Sequence, residues 1–296
     1  MVTGPEAPPA RKGTVGEALR AAERLLEMAG CETPRGDAQW IGSHALGMSK
    51  AGLFVDADRA FPEDKRETFE LLVARRAHRE PLGYVVGSVN FRGLELEIGP
   101  GVLVPRPETE ETAGRAIARA RERPRATVVD VGTGSGAIAI AVAAEVPSAR
   151  VFATEPSAAA RAWALRNLAR TALRVTLLPG QMLDPLHPAL GGAVDVIVSN
   201  PPYVPDSEWS SLPPEVRDHE PREAVCGGPD GLDVLMHLLQ EAPRWLAVGG
   251  WLVVELDESQ TAKVAKLLGV VGYTDVAVTS DLAGRERVVE GRWIGV

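Results

Sequence analysis

The chain has 296 residues, a formal net charge of −8 and a pI of about 5.3, enough for one large or two modest domains and without the global basic field that marks nucleic-acid binders. Twelve basic and thirteen acidic side chains lie in residues 1–80, so the N-terminal part is no basic arm either. Cys31 and Cys226 are the only cysteines and the five histidines are scattered, which excludes a disulfide framework or zinc spacing and fits a reducing, cytoplasmic setting, and no apolar run reaches membrane-spanning length.

Residues 1–13 read as a disordered leader. Thr14 to Ala29 reads as a helix, with Thr14 and Glu17 as a capping box, Val15, Ala18, Leu19, Ala22, Leu25 and Leu26 on one face and Gly30 as terminator. Helices over Asp37–Leu46, after Ser49 and from Pro62 complete a small helical domain over residues 14–80. At Pro81 the pattern changes. Tyr84–Phe91 and Leu94–Ile98 are expected to form a hairpin turning at Arg92-Gly93, inside a linker over 81–107 that ends in a proline-bounded loop. Glu108 opens the next helix.

From Thr127 strands and helices alternate through a domain over residues 108–296. Strands are expected at Val128–Val131, Arg150–Thr154, Val175–Leu178, Val194–Ser199, Trp251–Glu255, Asp275–Thr279 and Arg287–Trp293. Helices are expected at Gly136–Val146, Ala158–Thr171, Leu232–Leu246 and Ser259–Leu268. Such alternation predicts an α/β fold: a mostly parallel seven-stranded sheet covered on both faces, ending in an antiparallel edge hairpin.

Three strand ends carry chemistry. Gly132-Thr133-Gly134-Ser135-Gly136 follows the first sheet strand and opens a helix, where glycines let a ligand approach the backbone and free N–H groups await it. With Ala137 the loop also satisfies the loose dinucleotide pattern, so that reading is open. Glu155 ends the next strand and can accept from both hydroxyls of a ribose, or be a solvated acid. Asn200-Pro201-Pro202-Tyr203 ends the apolar strand Val194–Ser199 at the sheet edge where open α/β folds bind ligands. The Asn200 side-chain oxygen and the Pro201 carbonyl are acceptors for a planar NH2 group, adenine or amide, and the Tyr203 ring can stack on it. A bare Pro-Pro strand exit would need neither the amide nor the ring. His219 and Glu220 read as solvated loop, Cys226 as inert, and Trp163, Trp245, Trp251 and Trp293 as core.

Together these residues resemble the PrmC/HemK family of protein-glutamine N-methyltransferases over roughly residues 14–296. The resemblance rests on Arg79 to Gly87, Gly101 to Glu110 with its Pro-Arg-Pro-Glu-Thr-Glu segment, the glycine loop, Val198 to Tyr203, Leu212 to Arg217, Glu220 to Arg222 and Asp230 to Asp233. It implies a Rossmann-like class I S-adenosylmethionine-dependent methyltransferase fold. It implies S-adenosylmethionine as donor and, as acceptor, the glutamine of the Gly-Gly-Gln motif in class-1 peptide chain release factors. By position, Gly132 to Gly136 would hold the methionine end of the cofactor, Glu155 its ribose, and Met182 its adenine, with Arg106 and Thr109 closing over it. Asn200 to Tyr203 would hold the acceptor glutamine, and the helical N-terminal domain would dock the release factor. A monomer is expected, with no nucleic acid or membrane partner.

Three positions depart from the family pattern: Glu155 stands for an aspartate, Gln181 for an acid, and Asp257 for a glycine. Two alternatives share the acceptor chemistry. Glutamine methylation on a ribosomal protein would use the same pocket. An adenine-N6 methyltransferase would need a basic face with wedges for a flipped base, which this acidic chain does not show.

Overall fold

The computed structural model describes residues 13–295, so the expected leader lies, apart from Gly13, outside the described residues. The chain divides into two compact units, Met1–Val86 and Gly87–Val296. The first contains α1 (Val15–Met28), α2 (Pro34–Leu46), α3 (Lys50–Val55), α4 (Glu63–Ala77) and α5 (Leu82–Val86). The Thr14–Glu17 capping box forms as expected, each partner accepting from the other's backbone N–H at 3.2 and 2.9 Å. Helix α2 starts three residues before the expected Asp37, because Pro34 is preset for a first helical turn. Leu26, Ile41, Leu53 and Phe69 form the core of this unit.

One expectation fails here. Tyr84 to Val86 do not enter a strand; they form the single turn α5, with the Tyr84 and Val85 N–H groups donating to Pro81 O at 2.9 and 3.0 Å. The run Tyr-Val-Val suits strand or helix on propensity, and tertiary contact decides. Adjacent Tyr84 and Val85 are both buried, and the Arg75 guanidinium donates to the carbonyls of Tyr84 and Val85 at 3.1 and 3.3 Å, capping the turn. Gly87, at φ +79°, ends it.

The second unit opens with the hairpin β1 (Ser88–Phe91) and β2 (Leu94–Glu97), then α6 (Thr109–Ala120), β3 (Thr127–Val131), α7 (Ala137–Glu145), β4 (Arg150–Glu155), α8 (Ala158–Thr171), β5 (Val175–Pro179) and β6 (Val194–Ser199). It continues with α9 (Pro214–Arg217), α10 (Asp233–Trp245), β7 (Leu246–Glu255), α11 (Glu258–Val271), β8 (Tyr273–Ser280) and β9 (Glu286–Trp293). The large sheet has the order β5-β4-β3-β6-β7-β9-β8. Strands β3 to β7 run parallel, and β9 pairs antiparallel with both β7 and β8. This is the mostly parallel seven-stranded sheet with an antiparallel edge that the sequence predicts. Strand β7 begins at Leu246 rather than Trp251, with a register shift opposite Val194–Val196.

Strand side chains alternate between two cores, as a period of two requires. Val128, Val196, Val198 and Val253 face α6, α7 and the hairpin, whereas Val129, Ile197, Leu252 and Val254 face α10 and α11. The hairpin falls within this unit. Phe91 and Leu96 are buried in its core, and Asn167 of α8 exchanges bonds with the backbone of Glu97 at 2.7 and 3.0 Å. At the far end of α6, Arg115 and Arg119 both pair with the fully buried Glu290 of β9.

In the first unit the buried pair Asp37–Arg76, 2.7 Å apart, ties α2 to α4, and Thr33 donates to the other Asp37 oxygen at 2.7 Å. Removing one partner leaves an uncompensated buried charge. Asp37→Ala is therefore expected to lower stability of this unit by about 3–5 kcal/mol, measured as lost hydrogen-exchange protection in α2 and α4. Unchanged protection there would refute the assignment.

Candidate active site

Adjacent parallel strands bring three tips together. At β3, Asp130 is buried, and its Oδ2 accepts from the Thr133 hydroxyl at 2.5 Å and the Ala139 N–H at 3.0 Å. Burial pushes its carboxyl up to about 7, with the charge of Glu155 adding to the shift. The loop that follows turns at Gly132, Gly134 and Gly136, with φ of +70°, +58° and +87°, conformations that side-chain-bearing residues adopt at a cost. At β4, the buried Glu155 accepts from the N–H groups of Gly134 and Ser157, each at 2.8 Å. Burial raises its pKa, and these two bonds oppose the rise. Each of its oxygens keeps a lone pair for a further donor.

At β6, Asn200 follows the last strand residue. Its Nδ2 donates to Thr109 Oγ1 at 3.1 Å. Thr109 in turn donates to Glu255 Oε1 at 3.2 Å, and Thr112 donates to Glu255 Oε2 at 2.8 Å. Arg106 donates to Glu220 at 2.5 Å, and Val104 N–H also reaches that carboxylate at 3.4 Å.

These tips surround a cavity of about 520 Å³, within the range of small-molecule sites. Arg106, Thr109, Gly132 to Ser135, Glu155, Met182 and Asn200 to Pro202 all line it. Two expected residues do not. Gly136 lies buried at the start of α7, where an added Cβ would come within 3.0 Å of Ile140. Tyr203 lies outside the lining, its carbonyl accepting from Gln260 Nε2 at 3.0 Å and its phenol held above its usual pKa by burial and by Glu255. Glu220 is a correction. It is not solvated loop but buried, and the Arg106 guanidinium it binds explains why a charged side chain is stable there.

Local reading passes over Asp130 and Glu255 and misplaces Glu220. The first had a signal, an acid at a strand end beside a glycine loop. Glu220 meets Arg106 across 114 residues of chain and Glu255 meets Thr109 across 146.

A nucleoside carrying a cationic amino-acid tail fits these residues. Asp130 Oδ1 is buried without a hydrogen-bond partner among the described residues, and such an orphan acceptor calls for a donor, which an ammonium group beside the glycine loop would supply. Glu155, one strand away, accepts only from its two backbone N–H donors among the described residues and keeps lone pairs for ligand hydroxyls.

Comparison with known proteins decides the lineage. A PrmC N-terminal domain model matches residues 17–87 and a methyltransferase small domain model matches residues 113–211. Release factor glutamine methyltransferase of Geobacter sulfurreducens is 41% identical over 279 residues, covering 94% of this chain and 96% of the relative. That of Mycolicibacterium smegmatis is 44% identical over 273 residues, covering 92% and 95%. The chain belongs to the release factor glutamine methyltransferase family. A solved methyltransferase from Pyrococcus furiosus shares the fold alone, at 24% identity and a TM-score of 0.50 over 69% of this chain and 91% of its own.

Within this family frame Asp257 has a physical role. It is the N-cap of α11 at φ −70° and ψ 146°, a backbone that needs no glycine, and its side chain accepts from Ser259 N at 3.0 Å. Gln260 completes the capping box through Oε1 and holds the Tyr203 carbonyl through Nε2, so the cap is tied to the Asn200–Tyr203 loop. Arg287 pairs with Asp257 at 3.1 Å. Gln181 lines the cavity from an exposed position beside Met182. Asp257→Ala is expected to cost about 0.5–2 kcal/mol, read as a lower thermal midpoint. An unshifted midpoint would show that the cap carries no stability.

Proposed function

We propose that this protein transfers a methyl group from S-adenosylmethionine to the side-chain amide nitrogen of a glutamine, that of the Gly-Gly-Gln motif in class-1 peptide chain release factors. The observation that carries the reading is the sharing of one cavity by the glycine loop, Glu155, Asn200 and Pro201. Family membership and the names of the relatives support it further.

Gly132 to Ser135 and Asp130 would hold the amino-acid end of the cofactor, Glu155 its ribose hydroxyls, and Met182 and Gln181 the base. Bound there, the cofactor would supply an electrophilic methyl on a sulfonium. Asn200 and Pro201 then orient the nucleophile. The lone pair of an amide nitrogen is delocalised into its carbonyl, so it attacks poorly unless its N–H bonds are held. Asn200 Oδ1 and the Pro201 carbonyl accept no other hydrogen bond among the described residues and are free to accept both protons of the acceptor NH2. Apolar walls from Val102, Leu103 and Ile138 keep water from competing for the methyl. Orientation of this kind can supply roughly 7–11 kcal/mol of barrier lowering.

Mass spectrometry of a release factor incubated with the protein and S-adenosylmethionine tests the reading. One methyl increment on the glutamine of the Gly-Gly-Gln peptide is expected, and its absence at saturating cofactor would overturn the assignment. Asn200→Ala is expected to lower kcat on the order of 10²–10³-fold while calorimetric affinity for S-adenosylmethionine stays close to wild type. Near-normal turnover in that variant would remove Asn200 from the chemistry.

A further inference from the structure

The two ends of a carboxamide have nearly the same shape and opposite hydrogen-bonding sense. Asn200 can help an NH2 group only with its oxygen facing the cavity; turned over, it would set donor against donor. Something must choose, and the neighbouring side chains do. Ser199 of β6 lies level with Val254 of β7, so Asn200 and Glu255 stand one step further along adjacent parallel strands. Thr109 and Thr112, one turn apart on α6, reach over both.

We propose that Glu255, acting through the Thr109 hydroxyl, fixes which end of the Asn200 carboxamide meets the acceptor, making Glu255 and Thr109 positioning residues for methyl transfer. The inference rests on the acceptor role given to Asn200 above. An ionised carboxylate only accepts, so both threonine hydroxyls donate to it. The single proton of Thr109 is thereby spent, and its oxygen can only accept from Asn200. Asn200 must offer Nδ2, as it does at 3.1 Å, and Oδ1 is left for the ligand. The sense of the bond passes from carboxylate to hydroxyl to amide with no freedom at any step, since Glu255 is fully buried and Thr109 nearly so.

Burial also makes the chain of bonds sensitive to acid. It pushes the Glu255 carboxyl up to about 7, against the two hydroxyl bonds that favour the ion. The charges facing it are Glu108 at the start of α6, which raises it further, and Arg287 of β9, which lowers it, while the Tyr203 phenol stays neutral beside it. Below that pH the protonated carboxyl can donate to Thr109. Thr109 is then free to donate to Asn200, and the carboxamide turns its NH2 to the cavity.

Wild-type turnover on a release factor is measured first; without it the functional reading falls and this inference falls with it. Thr109→Val keeps the shape and removes the acceptor. It is expected to lower kcat on the order of 10–100-fold, well beyond any change in release-factor KM or cofactor affinity, and Thr109→Ser is expected to recover most of the loss. Wild-type kcat should fall as pH drops through about 7; Asp130 also titrates near 7, so the Glu255 share is the part of that acid limb that Glu255→Gln removes and Asp130→Asn leaves. Undiminished kcat in Thr109→Val, a loss matched by an equal loss of cofactor affinity, or an acid limb of wild-type depth in Glu255→Gln would each overturn the proposal.

Discussion

The parting of the chain after β3 and β6 is the constraint on which the site depends. These strands are neighbours in register, Val131 beside Ser199, and the Ser199 hydroxyl donates to Val131 O at 2.8 Å across their tips. Beyond that point β3 leads through α7 to β4 on one side, and β6 leads through α10 to β7 on the other. Loops that leave adjacent tips in opposite directions open a crevice between them. One wall is the glycine loop and the other is Asn200 to Pro202. A donor held on the first wall and an acceptor held on the second face each other because the sheet keeps both tips level.

Buried acids among the described residues fall into two kinds. Asp37, Glu220, Asp281 and Glu290 are paired with arginine, and they fix architecture: a helix pair, two loops, and α6 on the sheet. Asp130, Glu155 and Glu255, at or near the ends of β3, β4 and β7, are held by hydroxyl and amide donors instead. Dipoles stabilise a buried charge without cancelling it. Two of these acids line the cavity and leave it negative where the proposed sulfonium donor would lie. The third lies behind Asn200 and sets a direction rather than a charge.

Much of this was legible before any coordinates. The alternation of strands and helices from Thr127, the capping box at Thr14, the glycine loop and the strand end at Asn200 are local patterns, and local patterns survive folding unless tertiary contact overrides them. Tyr84 to Val86 show such an override: an ambiguous apolar run becomes a helical turn because Arg75 caps it. Glu220 looked like solvated loop because nothing near it in sequence marks burial, and its partner Arg106 lies 114 residues away. Thr109 was legible as a site residue through its motif. Its bond to Glu255, 146 residues away, was not, since no spacing rule links a first helical turn to the end of a later strand.

The place of β9 between β7 and β8 sets an order of assembly. On a ribosome β8 emerges before β9, the one strand it pairs with among the described residues, so it must wait outside the sheet until β9 arrives and inserts between β7 and β8. With β9 come Glu290, which anchors α6 through Arg115 and Arg119, and Arg287, which holds the Asp257 cap. The helix that carries Thr109 and the cap that holds the Tyr203 loop are therefore secured by a strand made after both of them. A nascent chain can show every motif of the site and still lack the frame that aims it.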